Sequence, residues 1–529
     1  MSLYEESDSL YKESDSLTLI EKVDEIMKEA DNISSKKIKP TSDELWEIIF
    51  TVCKFVKEKQ RKIYGGFALN KLIEEVAPKD KFYSDDDIKS WDIDFYSPDP
   101  MGDAKEISNR LHEKGFRYIQ AREAQHEETY KIFAETNECA DISYVPRNIY
   151  NKMPFKIVNG FCLTGPHYMM IDYFRVLTDP LTSYFRLEKT FTRLCLMLKH
   201  YPLPKNTTKI NTEPPGRDFD VAFHTVHDFL KDRESTIVIG MYAFNHLIKE
   251  SKINERDKNL KRGSKPGNNK RDTTTNGIDY VDINYYEIIS TQYTRDARNL
   301  ILALQDKFIT AKDRITYSES YPFFQYLGYS VDVYLDDEII CKIYNYNSKC
   351  TPYINVPALY FKKSGYDEEK GIIQIGSFAS QMLYNLINIM KARTDNNPNK
   401  KNLHYTMISH ITDMKNYYFN QTKKTIFDKS LFQEFILTCT GDTNTPQMER
   451  AIRVAKKIKD GKKISWVYNP ENQRDRNNDS KYVFKNSSGN PISNNKNMRI
   501  NLTNTNNENT DDIDEAHDPE ADLKDNLLN

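Results

Sequence analysis

The sequence has no apolar run near the roughly 18 residues that a membrane-spanning helix requires. Its first residues, MSLYEESDSLYKESDSL, are acidic where a secretory leader is basic. Cysteine is scarce and odd in number. The seven residues (Cys53, Cys139, Cys162, Cys195, Cys341, Cys350 and Cys439) are scattered and form no C-x-x-C pair. Most lie in apolar runs, so they read as reduced, buried thiols rather than a disulfide framework or a metal site. Charge of one sign is also lacking: the formal net charge is −3. A nucleic acid, if it binds, must therefore be met by a local basic surface. A soluble, intracellular protein is expected.

At 529 residues the chain is too long for one core. Residues 1–42 form a charged N-terminal arm. Its duplicated heptads, Leu3 to Ser9 and Leu10 to Ser16, read as a solvated or frayed segment. From Asp43, apolar residues at Leu45, Ile48, Ile49, Val52, Phe55 and Val56 follow helical spacing and open a first domain over 43–205. Residues 206–280 read as a connecting region. Its segment 251–277 is almost free of apolar residues and carries eight lysines and arginines, which suits a flexible connector or a phosphate-tracking arm. A second domain is expected over 281–469. The Asn/Asp-rich tail 470–529 has too few large apolar residues to offset its ordering entropy.

Chemistry concentrates in the first domain. Around Tyr64 the chain reads KIYGGFALNKLI, a strand-like entry, then Gly65-Gly66, then a helical pattern. Paired glycines at such a turn let backbone approach a phosphate at a helix N-terminus. Ser90 to Pro98 reads SWDIDFYSP, so on a strand Asp92 and Asp94 share one face and Ile93 and Phe95 the other. Adjacent carboxylates beside a core repel unless a cation neutralises them, and Mg²⁺ or Mn²⁺ suits that role. A further strand, CADISYVP, offers Asp141, and three carboxylates can hold two such ions. The acidic run Asp85-Asp86-Asp87 reads as a solvated loop.

Basic residues supply the candidate phosphate contacts. In RLEKTFTRLCLML, Arg186, Lys189 and Arg193 fall within one sector of about 60°, roughly opposite Leu187, Phe191, Leu194 and Leu198. Arg175 is a second candidate for the same role. Further on, Arg450, Arg453, Lys456 and Lys457 precede Trp466, a pairing of cations and aromatic ring that suits single-stranded RNA.

Gly-Gly, then D-h-D-h, then a lone later Asp resembles the DNA polymerase β-like nucleotidyltransferase superfamily. The wording YGGFALNKL and WDIDFYSP is similar to the poly(A) polymerase catalytic subunits of poxviruses and giant viruses. The resemblance covers roughly Lys62 to Tyr201, with an insertion, EEVAPKDKFYSDDDIKSW, longer than in compact members. It implies an α+β nucleotidyltransferase fold, a mixed sheet flanked by helices. It implies AMP transfer from ATP to an mRNA 3′-hydroxyl, with Asp92 and Asp94 on both metals and Asp141 on the catalytic one. It further implies a host-cytoplasmic, viral-factory or virion location and a processivity subunit as partner; a homodimer through the C-terminal domain is the other partner considered. UMP or CCA addition, or a non-catalytic RNA-binding subunit, stay open as alternatives.

Residues 131–146 (KIFAETNECADISYVP) and 342–357 (KIYNYNSKCTPYINVP) echo each other at an offset of 211, which also matches Gly160 to Gly371 and Gly165 to Gly376. The echo predicts a second, degenerate nucleotidyltransferase-like domain in which Pro352 stands in the place of Asp141.

Overall fold

The computed structural model describes residues 10–37, 40–84, 87, 92–206, 208–210, 217–255, 278–323, 325, 327–346 and 349–472. The basic segment 256–277, the tail from 473 onward, and Asp85 and Asp86 of the acidic run lie outside the described residues. Asp87 accepts from the amide and hydroxyl of Ser84, as a loop residue does.

Of the N-terminal arm, the first heptad, Leu3 to Ser9, lies outside the described residues, and the described part is solvent-exposed but helical. It forms helix α1 (Glu13–Lys37), whose Glu13 and Asp15 complement the positive end of the helix dipole. Its apolar side chains Leu17, Ile20 and Met27 are exposed. Helix α2 (Ser42–Glu58) opens on a capping box, Thr41 accepting from the Glu44 amide and Glu44 from the Thr41 amide. It buries Ile48, Ile49, Val52, Phe55 and Val56, the face expected from their spacing.

Then follow β1 (Lys62–Ile63), α3 (Gly65–Val76), β2 (Ile93–Ser97), α4 (Pro100–Glu113), β3 (Gln120–Glu123), β4 (Thr129–Ala134), β5 (Asn137–Tyr144), α5 (Arg147–Lys152), β6 (Phe155–Val158), β7 (Phe161–Thr164), α6 (Pro166–Leu177) and α7 (Leu187–His200). The second half comprises α8 (Arg217–Leu230), β8 (Thr236–Ile239), α9 (Gly240–Ser251), β9 (Tyr286–Ser290), α10 (Tyr293–Lys307), β10 (Ile315–Ser320), β11 (Ser330–Leu335), β12 (Glu338–Asn345), β13 (Thr351–Lys362), β14 (Gly365–Gly376), α11 (Phe378–Thr394) and α12 (Pro398–Thr422). Last come β15 (Cys439–Thr440), α13 (Pro446–Lys459) and β16 (Val467–Tyr468).

Two mixed sheets result, with strand orders β16-β3-β4-β5-β2-β1-β7-β6 and β10-β11-β12-β9-β8-β14-β13-β15. Seven strands correspond in order and direction: β1 pairs antiparallel to β2 and parallel to β7, and β8 pairs antiparallel to β9 and parallel to β14. Both halves start on one turn. Gly65 and Gly240 have φ of +72° and +66° and begin α3 and α9, which read GGFALNKLI and GMYAFNHLI. Asn70 and Asn245, in matching places, are buried and tie down the chain that leads into β2 and β9. Residues 236–251, expected in a connecting region, thus belong to the second sheet and its first helix.

The register corrects the echo. The hairpins β4–β5 and β11–β12 carry a β-bulge at corresponding places, and Lys131↔Asp141 corresponds to Asp332↔Lys342. The counterpart of Asp141 is Lys342, not Pro352. A constant offset fails because the loops and the β13–β14 ribbon differ in length from their first-half counterparts. Two further expectations change. Cys350 and Cys439 form a disulfide between segments 89 residues apart, where β13 pairs with β15, so these two thiols are not reduced. The chain also returns to the first sheet at its end, β16 pairing with β3, so the first half includes residues expected in the second.

Candidate active site

The site forms where β1 turns into α3. Ile93 and Phe95 of β2 are fully buried, and burying each side chain contributes about 2 kcal/mol, so the strand cannot turn over. Asp94 is thereby placed on the opposite, half-buried face. Asp92, expected on the same strand, is exposed and immediately precedes its first residue. The turn closes over Asp94: the Tyr64 amide donates to its carbonyl at 2.9 Å, and a Cβ at Gly65 would overlap its Oδ2. A side chain at Gly66 would meet Tyr83 Oη at 2.8 Å and Arg193 Nη1 at 3.2 Å. Both glycines are needed for close approach. Burial, then the nearby Asp92 and Asp141, holds the Asp94 carboxyl well above its usual range.

Asp141 lies on β5, paired directly with Asp94 across the parallel β2–β5 ladder. Burial pushes its carboxyl up to about 8, against the lowering field of Lys131. Lys131 Nζ reaches Asp141 Oδ2 at 3.2 Å and also pairs with Glu138. Asp141 Oδ1 is buried with no hydrogen-bond partner, an orphan acceptor of the kind that a cation satisfies. Oxygens of Asp92, Glu138 and Asp141 lie within 4.8 Å of one another. Glu138 is the residue that sequence reasoning misses. Strict alternation would put it on the face opposite Asp141, but the bulge at Cys139 adds one residue and brings both to the same face.

Helix α7 backs this cluster with cations. Lys189 is exposed within the fields of Asp92 and Asp94, its ammonium lowered by burial and by Arg193 and Arg186. Arg193 donates to Tyr83 Oη at 2.7 Å, beside Gly66. Thr190, Leu194 and Met197 carry the helix's buried face, whereas Leu187, Phe191 and Leu198 are half-buried. Arg186 is exposed over the Phe185 ring. Arg175 is turned toward the second half, donating to the Gln325 carbonyl at 3.2 Å.

The cations expected to bind RNA lie on α13, which buries none of its residues. Arg450 is exposed, Arg453 donates to the Gln125 carbonyl at 2.8 Å, and Lys457 lies 3.8 Å from Glu123. Lys456 is exposed beside them. Trp466 departs from expectation: it is 8% exposed and packs edge-on against Tyr130, so its ring is a core element and not an open stacking surface.

In the second half, Gly240 closes over Glu287 as Gly65 does over Asp94. Glu287 is buried and accepts from Tyr344 Oη at 2.8 Å and Asn388 Nδ2 at 3.3 Å. Tyr285 takes the place of Asp92, two residues before Glu287. Lys342 Nζ meets Asp332 at 3.0 Å, with both side chains buried. The counterpart site carries its own cation and keeps one of the three expected carboxylate positions.

Both halves of the chain are similar to known proteins. Residues 50–183 match the family model "Poly(A) polymerase catalytic subunit", and residues 223–502 match "APMV, Putative poly(A) polymerase, catalytic subunit, C-terminal". A protein of Acanthamoeba polyphaga mimivirus, described as a poly(A) polymerase catalytic subunit, is 32% identical over 484 residues, 89% of this chain and 81% of its own. An African swine fever virus protein of the same description is 25% identical over 198 residues, 36% of this chain and 40% of its own. The crystal structure of the Megavirus polyadenylate synthase superposes with a TM-score of 0.72 at 30% identity, covering 94% of this chain and 95% of that one. With a matching family model over most of its second half and a relative matched along most of its length, the chain belongs to the poly(A) polymerase catalytic subunits, enzymes of nucleotidyltransferase fold.

Proposed function

We propose that the chain transfers AMP from ATP, without a template, to the 3′-hydroxyl of an RNA and releases pyrophosphate. The observation that carries this reading is the direct pairing of Asp94 with Asp141 under the Gly65 turn. Asp92, Asp94 and Asp141 would hold divalent cations, Mg²⁺ or Mn²⁺; the orphan Asp141 Oδ1 and the closeness of Asp92 and Asp141, with Glu138 beside them, fit that role. When bound, such ions neutralise phosphate charge and favour ionisation of the attacking hydroxyl.

The chain's own groups do the rest. Asp94, fixed by the turn, and Asp141, fixed by the ladder, set where the hydroxyl and the α-phosphate meet. Asp141 is also the group placed to accept the hydroxyl proton. Lys189 and Arg193 receive the triphosphate, and Gly65 and Gly66 let backbone come close to it. Lys131 pairs with both Asp141 and Glu138, so it would keep Glu138 as a partner if Asp141 held a cation.

Primer extension of an oligoribonucleotide with each nucleoside triphosphate in turn tests the reading. ATP should be used well above the other three, and Asp94→Asn should abolish extension. Preferred use of UTP or CTP, or full activity in Asp94→Asn, overturns it.

A further inference from the structure

Ahead of α7 lies a short 3-10 turn, Tyr184–Arg186. Tyr184 is 65% exposed and Phe185 70% exposed, adjacent large rings set edge to face at 6.0 Å. Placing two aromatic rings in water is unfavourable, and together they make an apolar patch beside charged neighbours. The Arg186 guanidinium lies over Phe185 at 5.6 Å. One turn further along the chain is Lys189, which lies in the fields of Asp92 and Asp94. The rings therefore lead directly into the helix whose Lys189 lies in the fields of these carboxylates.

Cations from separate segments gather on this side. Asp179 accepts from the hydroxyls of Thr182 and Ser183, which fixes the approach to the turn, and lies 3.5 Å from Lys349 of the second half. The 125–127 turn receives Arg453 on the Gln125 carbonyl and Gln325 on the Glu127 carbonyl, and Arg175 holds Gln325 in turn. His126, at the centre of that turn, is pushed down to about 4 by burial first and then by Arg175, Arg186, Lys349 and Arg453. The same cations act on one point from both halves of the molecule.

We propose that Tyr184 and Phe185 form a stacking platform for the bases at the 3′ end of the RNA, with Arg186, Lys349 and Arg453 facing its phosphates. This rests on the AMP-transfer reading above and names where that reaction's RNA lies. Stacking on aromatic rings is tolerant of base identity, and a track of cations suits a run of phosphates. The adenine of ATP is the other ring that could lie there. The cations disfavour it: Lys189, in the fields of Asp92 and Asp94, and Arg193, beside Gly66, are already assigned to the triphosphate, which leaves Arg186, Lys349 and Arg453 for another run of phosphates.

Steady-state extension of labelled oligo(A) by the full chain tests the platform, with the double variant Tyr184→Ala/Phe185→Ala beside Tyr184→Phe/Phe185→Tyr. Both residues are exposed, so folding should be retained. The alanine pair should raise KM for RNA about tenfold or more and leave KM for ATP within about twofold, while the aromatic swap should restore the RNA value. A rise in KM for ATP with that for RNA unchanged assigns the rings to adenine and overturns the proposal. No change in either overturns it as well. Anisotropy of labelled oligo(A), read without ATP or metal, gives a separate measure. If the wild type extends no primer, the AMP-transfer reading falls, and loss of oligo(A) affinity in the alanine pair alone decides the platform.

Discussion

On β4 and β5 of the first half, Lys131 meets Asp141 at 3.2 Å; at the corresponding places on β11 and β12, Asp332 meets Lys342 at 3.0 Å. The pair is kept and its charges are exchanged. In the first half the lysine comes from the outer strand and the carboxylate stays at the centre, beside Asp94. Its Oδ1 is left without a partner. In the second half the ammonium stands at the centre, beside Glu287, and supplies as a side chain the positive charge that, in the proposed reading, a bound cation would bring to the first half. A centre that depends on an exchangeable cation can bind and turn over phosphates. One whose central position is itself a lysine would serve as framework.

The largest effect that could break this comparison is on activity. Asp141→Asn should lower primer extension roughly a thousandfold or more. Glu287→Gln, at the matching centre of the second half, should stay within about twofold, as changes remote from the chemistry do. Collapse of activity in a well-folded Glu287→Gln protein would mean that the second centre takes part in the reaction.

Next in size is stability. Lys342→Met leaves Asp332 buried without its cation and should cost about 3 kcal/mol in denaturant unfolding. Lys131→Met removes a pair whose side chains are 31% and 16% exposed and should cost about 1 kcal/mol or less. Equal losses would show that the two pairs are not distinguished by burial.

The smallest expected effect is on acid sensitivity. In the second half His227, His246 and His404 are held down to about 4, 3 and 3, chiefly by burial, and His410 is lowered in the same way. Folded, they stay neutral while the unfolded chain takes up protons below about 6.5, so their contribution is lost as pH falls through that value. The first half has His167 of this kind, but also Glu128, raised to about 8 by burial and by Glu127. Glu128 binds its proton more tightly when folded, so it adds stability as pH falls from 8 toward the ordinary carboxylate range. Hydrogen exchange corrected for intrinsic rates should show the second sheet opening ahead of the first between pH 7.5 and 5. The reverse order would count against the contrast.

Some of this was legible in the residues alone. Alternation around Ile93 and Phe95 fixes which way Asp94 points, and helical spacing marks the buried face of α2 and the cations of α7. Glu138 was hidden because a bulge reverses the parity of a strand and no residue type announces one. The disulfide was hidden because only the β13–β15 pairing brings Cys350 to Cys439. Trp466 beside lysines suits RNA as a string of letters, but the strand that carries it is the edge of a sheet, with the ring turned inward. The second domain could be inferred, though from the wrong match. The better signal was the shared G-x-aromatic-A-x-N-x-L-I of Gly65–Ile73 and Gly240–Ile248, which lies at the turn that both halves need.

Strand β16 has a consequence in time. Tyr468 Oη donates to Asn109 Oδ1 at 2.6 Å across 359 residues, and Val467 and Tyr468 pair with β3 at the edge of the catalytic sheet. During translation the three aspartates and their strands emerge first, while β3 stays bare until the rest of the protein has been made, roughly 20–70 s at ordinary elongation rates. A bare β edge invites pairing with other chains. The last described strand therefore acts as a seal on the first domain, which is closed only after the whole second sheet has been translated.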